Sequence, residues 1–211
     1  QDEKRFDNIT SRIFTDEMSS NTINMHYTLA RPEDFGIYDY RPILPRYSSE
    51  GVLRGQAATE NTLAALKSLD QRKLTDSDAG LCRLLIRSLE SSLALGGFTY
   101  YSEPLSPSSG SQTQLPILLA EYAFRSTRDV EDYLALLEQT DDYFASLLTY
   151  EQEKAAAGLS MPASFLREVR QQCDTIITGE ALENGSHFLQ ATFRERLECL
   201  RVEGLITETE F

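Results

Sequence analysis

At two places in the chain a hydroxyl side chain stands three residues ahead of an aspartate, with a run of apolar residues behind it: Thr75 before Asp78, and Ser126 before Asp129. A hydroxyl that can accept a backbone N–H, with an acid in the first turn, is the local signature of a helix start. Behind Thr75, Leu81, Leu84, Leu85, Leu89 and Leu93 recur at helical spacing, and behind Ser126 so do Val130, Tyr133, Leu134 and Leu137. This punctuation constrains the fold more than anything else in the chain, because strand-period alternation is almost absent.

The remaining segments divide in the same way. Asp2 is placed to cap a helix carrying Phe6, Ile9, Ile13 and Phe14. Ser19, Ser20 and Asn21 break it and cap a short piece with Ile23, Met25 and Leu29. Pro32–Phe35 reads as one turn closed by Gly36, and residues 37–47, with Pro42 and Pro45, as an extended crossing. Ser49 opens a helix whose core contacts are predicted at Val52, Leu53, Ala57, Ala64 and Leu66. Gly96 and Gly97 supply a left-handed stop to the leucine-rich helix. Later helices are expected over Ile117–Phe124, from Thr140 or Asp141 to Gly158, from Pro162 to near Gly179, and through Phe188, Leu189, Phe193 and Leu197.

The fold class that follows is all-α: an antiparallel helical bundle with a long irregular loop near residues 98–116, and no solenoid repeat. Residues 1–211 read as a single helical domain or fragment. Thr207 is placed like an N-cap just before the sequence ends, so we expect truncation at the C-terminal end from a longer protein. A start at Gln1 without methionine leads us to expect that any signal segment was trimmed or never included.

Charge narrows the partners. A formal net charge of −13 repels phosphate backbones and anionic membrane surfaces, which argues against nucleic acid. No apolar run reaches the ~20 residues that span a bilayer, so no membrane insertion is expected. The three cysteines, Cys82, Cys173 and Cys199, form no C-x-x-C pair and read as small buried hydrophobes.

Candidate chemistry is thin. A catalytic zinc site commonly takes three protein ligands, often with H-E-x-x-H on a helix. Here the histidines are His26 and His187, and neither has a second histidine four residues on. His26 reads as a packed, hydrogen-bonded residue and His187 as a first-turn helix residue; no metal ligand and no catalytic residue is assigned. The stretch "YYSEPLSPSSGSQTQLP" is the most unusual. Its Ser109 and Gly110 suit a loop that turns backbone N–H groups toward an anion, though no phosphate-loop or nucleophile-elbow pattern is present. The competing reading is a flexible linker. Tyr100 and Tyr101, beside Gly96 and Gly97, are natural stacking residues. The acids Asp129, Glu131, Asp132, Asp141, Asp142, Glu151 and Glu153 are expected on solvated faces.

Three blocks, "SSNTINMHYTLARPEDFGI", "SPSSGSQTQLPILLAEYAFRSTRDVEDYLALL" and "YFASLLTYEQEKAAAGLSMP", resemble the N-terminal helical part of a bacterial family of unknown function. Its members are often secreted lipoproteins that resemble zinc metallopeptidases, with an H-E-x-x-P-G-H type motif in the C-terminal half. That motif is absent from these 211 residues. The resemblance implies a cleft-bordering domain, inactive in isolation, whose partner is the C-terminal catalytic-like region of the same parent chain. It further implies peptide as substrate, zinc in the parent but no cofactor here, and an extracytoplasmic location, either lipid-anchored at the bacterial surface or freely secreted. By that analogy His26, Tyr100, Tyr101, Ser109 and Gly110 would face the cleft and contact substrate. The alternative is a non-enzymatic helical binding or scaffold module of an exported protein. A self-contained enzyme is disfavoured, because the chain carries no nucleophile–base constellation.

Overall fold

The computed structural model describes residues 1–207, and a helix starting behind Thr207 lies outside the described residues. Among the described residues every regular element is a helix or 3-10 turn, so the chain is all-α. It divides into two compact units, Gln1–Ser102 with Tyr143–Glu153, and Glu103–Asp142 with the residues from Lys154 onward.

In the first unit, α1 (Asp2–Ser20) begins one residue earlier than expected, with Gln1 at the cap position and Asp2 inside the first turn. Asn21 caps α2 (Thr22–Thr28) by accepting from Asn24 N, and Gly36 closes the Pro32–Phe35 turn at φ 79°. Thr22 Oγ1 accepts from Ile43 N at 2.8 Å, and Thr22 N donates back to Ile43 O at 3.1 Å. This exchange ties down the extended segment, where prolines preclude a helix. Helices α3 (Ser49–Lys67) and α4 (Asp76–Ala94) run antiparallel. Gln56, near the start of α3, bonds Gly96 beyond the end of α4, while Leu66 and Ala79 share one core cluster.

That cluster joins Phe6, Leu66, Leu69, Leu74, Ala79 and Cys82. Each fully buried leucine of this kind contributes about 1.5–3 kcal/mol relative to exposure. A second cluster gathers Met18, Met25, Leu29 and Ile37. The faces predicted from periodicity need correction. Val52, Leu53, Ala57 and Ala64 are exposed, and α4 packs through Ala79 and Cys82 with Leu85, Ile86 and Leu89 beside them, while Leu81 and Leu84 face outward. Helical spacing was right, and Leu85 and Leu89 meet the core as predicted, but at the start of α4 the neighbouring stripe of Ala79 and Cys82 is buried in place of Leu81 and Leu84. The stop behind α4 also differs. Gly96 and Gly97 do not adopt positive φ; at Gly96 a Cβ would overlap the Gln56 side chain that bonds its carbonyl.

The second unit holds α5 (Ser111–Ala120), α6 (Thr127–Glu138), the ends of α7 (Thr140–Ala156), α8 (Ala163–Ile176), α9 (Gly179–Glu183) and α10 (Phe188–Val202). Helix α5 packs on both α8 and α10. It starts six residues before the predicted Ile117 and contains Pro116, so the irregular loop ends at Gly110 rather than at residue 116. Pro116 removes one backbone donor, and burial of Gln112, Leu115, Pro116 and Leu119 holds the helix regardless. Ser126 caps α6, and Asp129 accepts from both Ser126 Oγ and Arg125 N. α7 ends at Gly158, φ 79°, where Leu159 N reaches back to Lys154 O. Cys82 is buried, but Cys173 and Cys199 are exposed, against the expectation of three buried cysteines.

Candidate functional site

The site residues suggested by sequence fall into two places, one in each unit, and His26 lies apart from the loop in sequence. In the first unit, Thr99–Tyr101 form a 3-10 turn whose backbone is pinned from beneath. Tyr150 OH donates to Thr99 O at 2.8 Å, with Ser102 O at 3.3 Å. Tyr100 OH donates to the Glu153 carboxylate at 3.2 Å. Partial burial pushes the Tyr100 phenol pKa up, and the Glu153 hydrogen bond and charge push it further. Its ring continues a row of tyrosines, Tyr100–Tyr150 at 5.7 Å, Tyr150–Tyr47 at 5.7 Å and Tyr47–Tyr143 at 6.2 Å. Burial, then the nearby Tyr143, raises the Tyr47 pKa in the same way.

With Tyr100 turned inward, Tyr101 is left 65% exposed, its ring edge-on to Phe98 at 5.2 Å. Phe98 is 53% exposed. The unit therefore presents an aromatic pair on a backbone that does not need to reorganise.

In the second unit, the loop from Glu103 to Gly110 is ordered by polar groups rather than left as a flexible linker. Gln112 Nε2 donates to Ser106 O and to Gln172 Oε1, both at 2.7 Å, and Gln172 Nε2 donates to Pro107 O at 2.8 Å. Gly110 is buried and has an ordinary φ of −73°. Glycine is required there by space, since a Cβ would overlap the Ser106 backbone and Gln112 Oε1. The predicted anion cradle does not form. Ser109 N donates to Ser106 Oγ, Gly110 N to Ser106 O and Ser111 N to Pro104 O, so these three amides are committed within the loop.

His26 is buried on α2, 6% exposed, with its ring edge-on to Tyr27 at 5.8 Å. His187 is the N-cap of α10, one residue before its expected first-turn place. Its Nδ1 accepts from Leu189 N at 3.3 Å, which assigns the proton to Nε2 and makes Nε2 the donor to Ile176 O at 2.9 Å. Both ring nitrogens are thereby occupied. Among the described residues no three His, Cys, Asp or Glu side chains gather in a group able to hold a metal. The zinc that the resemblance implies for the parent does not fit this donor set, and we derive no step through it.

Several buried polar residues had no signal in the sequence. Gln112, Lys154, Asp132 and His187 are each at most 4% exposed. Lys154 Nζ meets Glu103 at 2.7 Å. Asp132 is buried and Asp129, Glu151 and Glu153 are only half-exposed, against the solvated faces expected of them, whereas Glu131, Asp141 and Asp142 are exposed as expected. Partners such as Gln112 and Gln172 lie sixty residues apart. Only the unusual density of Pro, Ser and Gln around them marked the place.

Fold and site define an all-helical chain that offers a pinned aromatic loop and, among the described residues, no metal-holding group. The chain belongs to a bacterial family, described as "bacterial protein of unknown function (DUF885)", whose model matches residues 32–206. Helices α1 and α2, with His26, precede the matched region. Neither a curated protein nor a solved structure matches the chain. No described helix is long and apolar enough to cross a membrane.

Proposed function

We propose that this chain is the N-terminal helical part of an extracytoplasmic zinc-metallopeptidase-like protein, in which it borders the substrate cleft and hydrolyses nothing by itself. The observation that carries this reading is the Phe98–Tyr101 pair, exposed on a turn held by Tyr150 and Glu153. Rigid aromatic surface of this kind binds extended peptide at low entropic cost. Family membership over residues 32–206 is consistent with it. The catalytic groups belong to the C-terminal region of the parent chain, and export with a lipid anchor rests on the sequence resemblance.

The test compares this chain with the longer natural protein on a peptide library, with and without chelator. We expect chelator-sensitive hydrolysis from the longer protein and none from this chain. In the longer protein Tyr101→Ala should raise KM about fivefold with kcat little changed, because the ring binds ground and transition states alike. Hydrolysis by this chain that survives chelation would refute the proposal. The same aromatic pair also suits a non-enzymatic peptide-binding module. Peptide binding at Tyr101, with no hydrolysis by the longer protein, would decide for that reading.

A further inference from the structure

The second unit contains a pocket of about 400 Å³, within the size range of small-molecule sites. Leu134 and Leu137 of α6, Ile177 behind α8, Leu182 of α9, and Leu189 and Phe193 of α10 form most of its wall. Three polar residues also border it, His187, Gln190 and Tyr133, and two of their atoms, Tyr133 OH and Gln190 Oε1, are buried without a hydrogen-bond partner among the described residues. His187 commits both ring nitrogens to backbone, and Gln190 directs Nε2 to Leu182 O. The exposed wall is nonetheless almost wholly carbon, a surface that water solvates poorly and that apolar ligands fill. Leu134, Ile177 and Leu182 remain between 43% and 52% exposed, so the pocket opens to solvent.

One wall residue breaks the apolar pattern. Arg194 is exposed, and Nη1 donates to Gly185 O at 3.2 Å, with no carboxylate partner among the described residues. In a chain with 33 acidic and 20 basic side chains, an arginine left without an acid beside a carbon-walled pocket supplies charge complementarity for an anion. We propose that this pocket binds a small amphiphilic carboxylate, such as a medium-chain fatty acid, with its chain among the leucines and its head group on Arg194. The proposal is independent of the peptidase reading, since every residue it uses lies in the second unit and none lies in the Phe98–Tyr101 turn.

The experiment is calorimetric titration of the intact chain with decanoate below its micelle concentration, alongside decanol and a leucine-terminated dipeptide. Expected are one decanoate site and weaker decanol binding. Arg194→Gln should bring decanoate down to the decanol level, a loss of about fivefold. Leu182→Trp, a half-exposed position where the larger ring fills the mouth, should weaken both ligands at least tenfold while circular dichroism stays unchanged. Equal binding of decanoate and decanol, binding insensitive to Leu182→Trp, or no binding at all would each overturn the proposal. Tighter binding of the dipeptide would overturn it in favour of a peptide C-terminus.

Discussion

The two units differ in what they hide. The first buries carbon: the Phe6–Leu66–Cys82 cluster, the Met18–Met25–Ile37 cluster and a row of tyrosine rings. Its buried polar residues are Thr22 and His26. The second also has apolar interior, at Leu119, Leu136 and Leu200, but buries Gln112, Asp132, Lys154 and His187 with it. Carbon cores derive their stability from area and close packing, and they tolerate slippage between similar shapes. Buried hydrogen-bonding groups add little net stability but penalise every arrangement that leaves them unpaired. The first unit is built to stay folded. In the second, polar pairs determine where one particular loop and one particular helix end must lie.

Substitutions can break that contrast, and the largest effect is expected in the first unit. Leu66→Ala removes a side chain with 0% exposure and should cost about 2–5 kcal/mol in chemical denaturation. Hydrogen exchange should show lost protection in α3 and α4. A cost under about 1 kcal/mol would mean that the cluster is not what holds this unit. In the second unit, Gly110→Ala drives a methyl group into the Ser106 backbone and should cost about 1–3 kcal/mol. His187→Ala leaves Ile176 O and Leu189 N without partners, at a cost of about 1–3 kcal/mol. His187→Asn restores an N-cap and should recover part of it. If alanine and asparagine melt alike, the imidazole matters as packing and the contrast between the units weakens.

The smallest effect concerns acid. Asp70 caps the Gln71–Lys73 turn, and its hydrogen bonds with Arg72 lower its pKa to about 2. A carboxylate with a folded pKa below its unfolded value stabilises the fold above pH ~4 and loses that contribution as pH falls toward 2. Asp70→Asn should therefore lower stability slightly at neutral pH, leave it nearly unchanged near pH 2, and so flatten the acid limb of stability against pH in that window. An identical acid limb in both proteins would show that the Arg72 pairing does not persist in solution.

These sites also show what could be read from the sequence. Asn21, Thr75, Ser126, Gly36 and Gly158 were legible as caps and stops, because each acts within four residues of itself. The choice between the Leu81–Leu84 and Ala79–Cys82 stripes was not, since helical spacing permits both and a neighbouring helix decides. Pro116 made the start of α5 resemble loop, and the Gln112–Gln172 pair that builds the Gly110 elbow joins segments far apart in sequence. Of the residues suggested for the site, Tyr101 is presented outward, Tyr100 is turned inward, and Gly110 serves as a spacer. The His187 cap was nearly visible behind Asn184-Gly185-Ser186; its partner Ile176 was not.

The tyrosine row has an optical consequence. With no tryptophan among its 211 residues, the chain's near-ultraviolet emission comes from tyrosine. Tyr47, Tyr100, Tyr143 and Tyr150 stand close enough for excitation to migrate from ring to ring, and Tyr100 ends that relay on a hydrogen bond to a carboxylate, which quenches phenol fluorescence. The native state should therefore be dim and depolarised, and should brighten when Tyr100 parts from Glu153. Opening of this turn can then be followed by intrinsic light emission, without attaching any label.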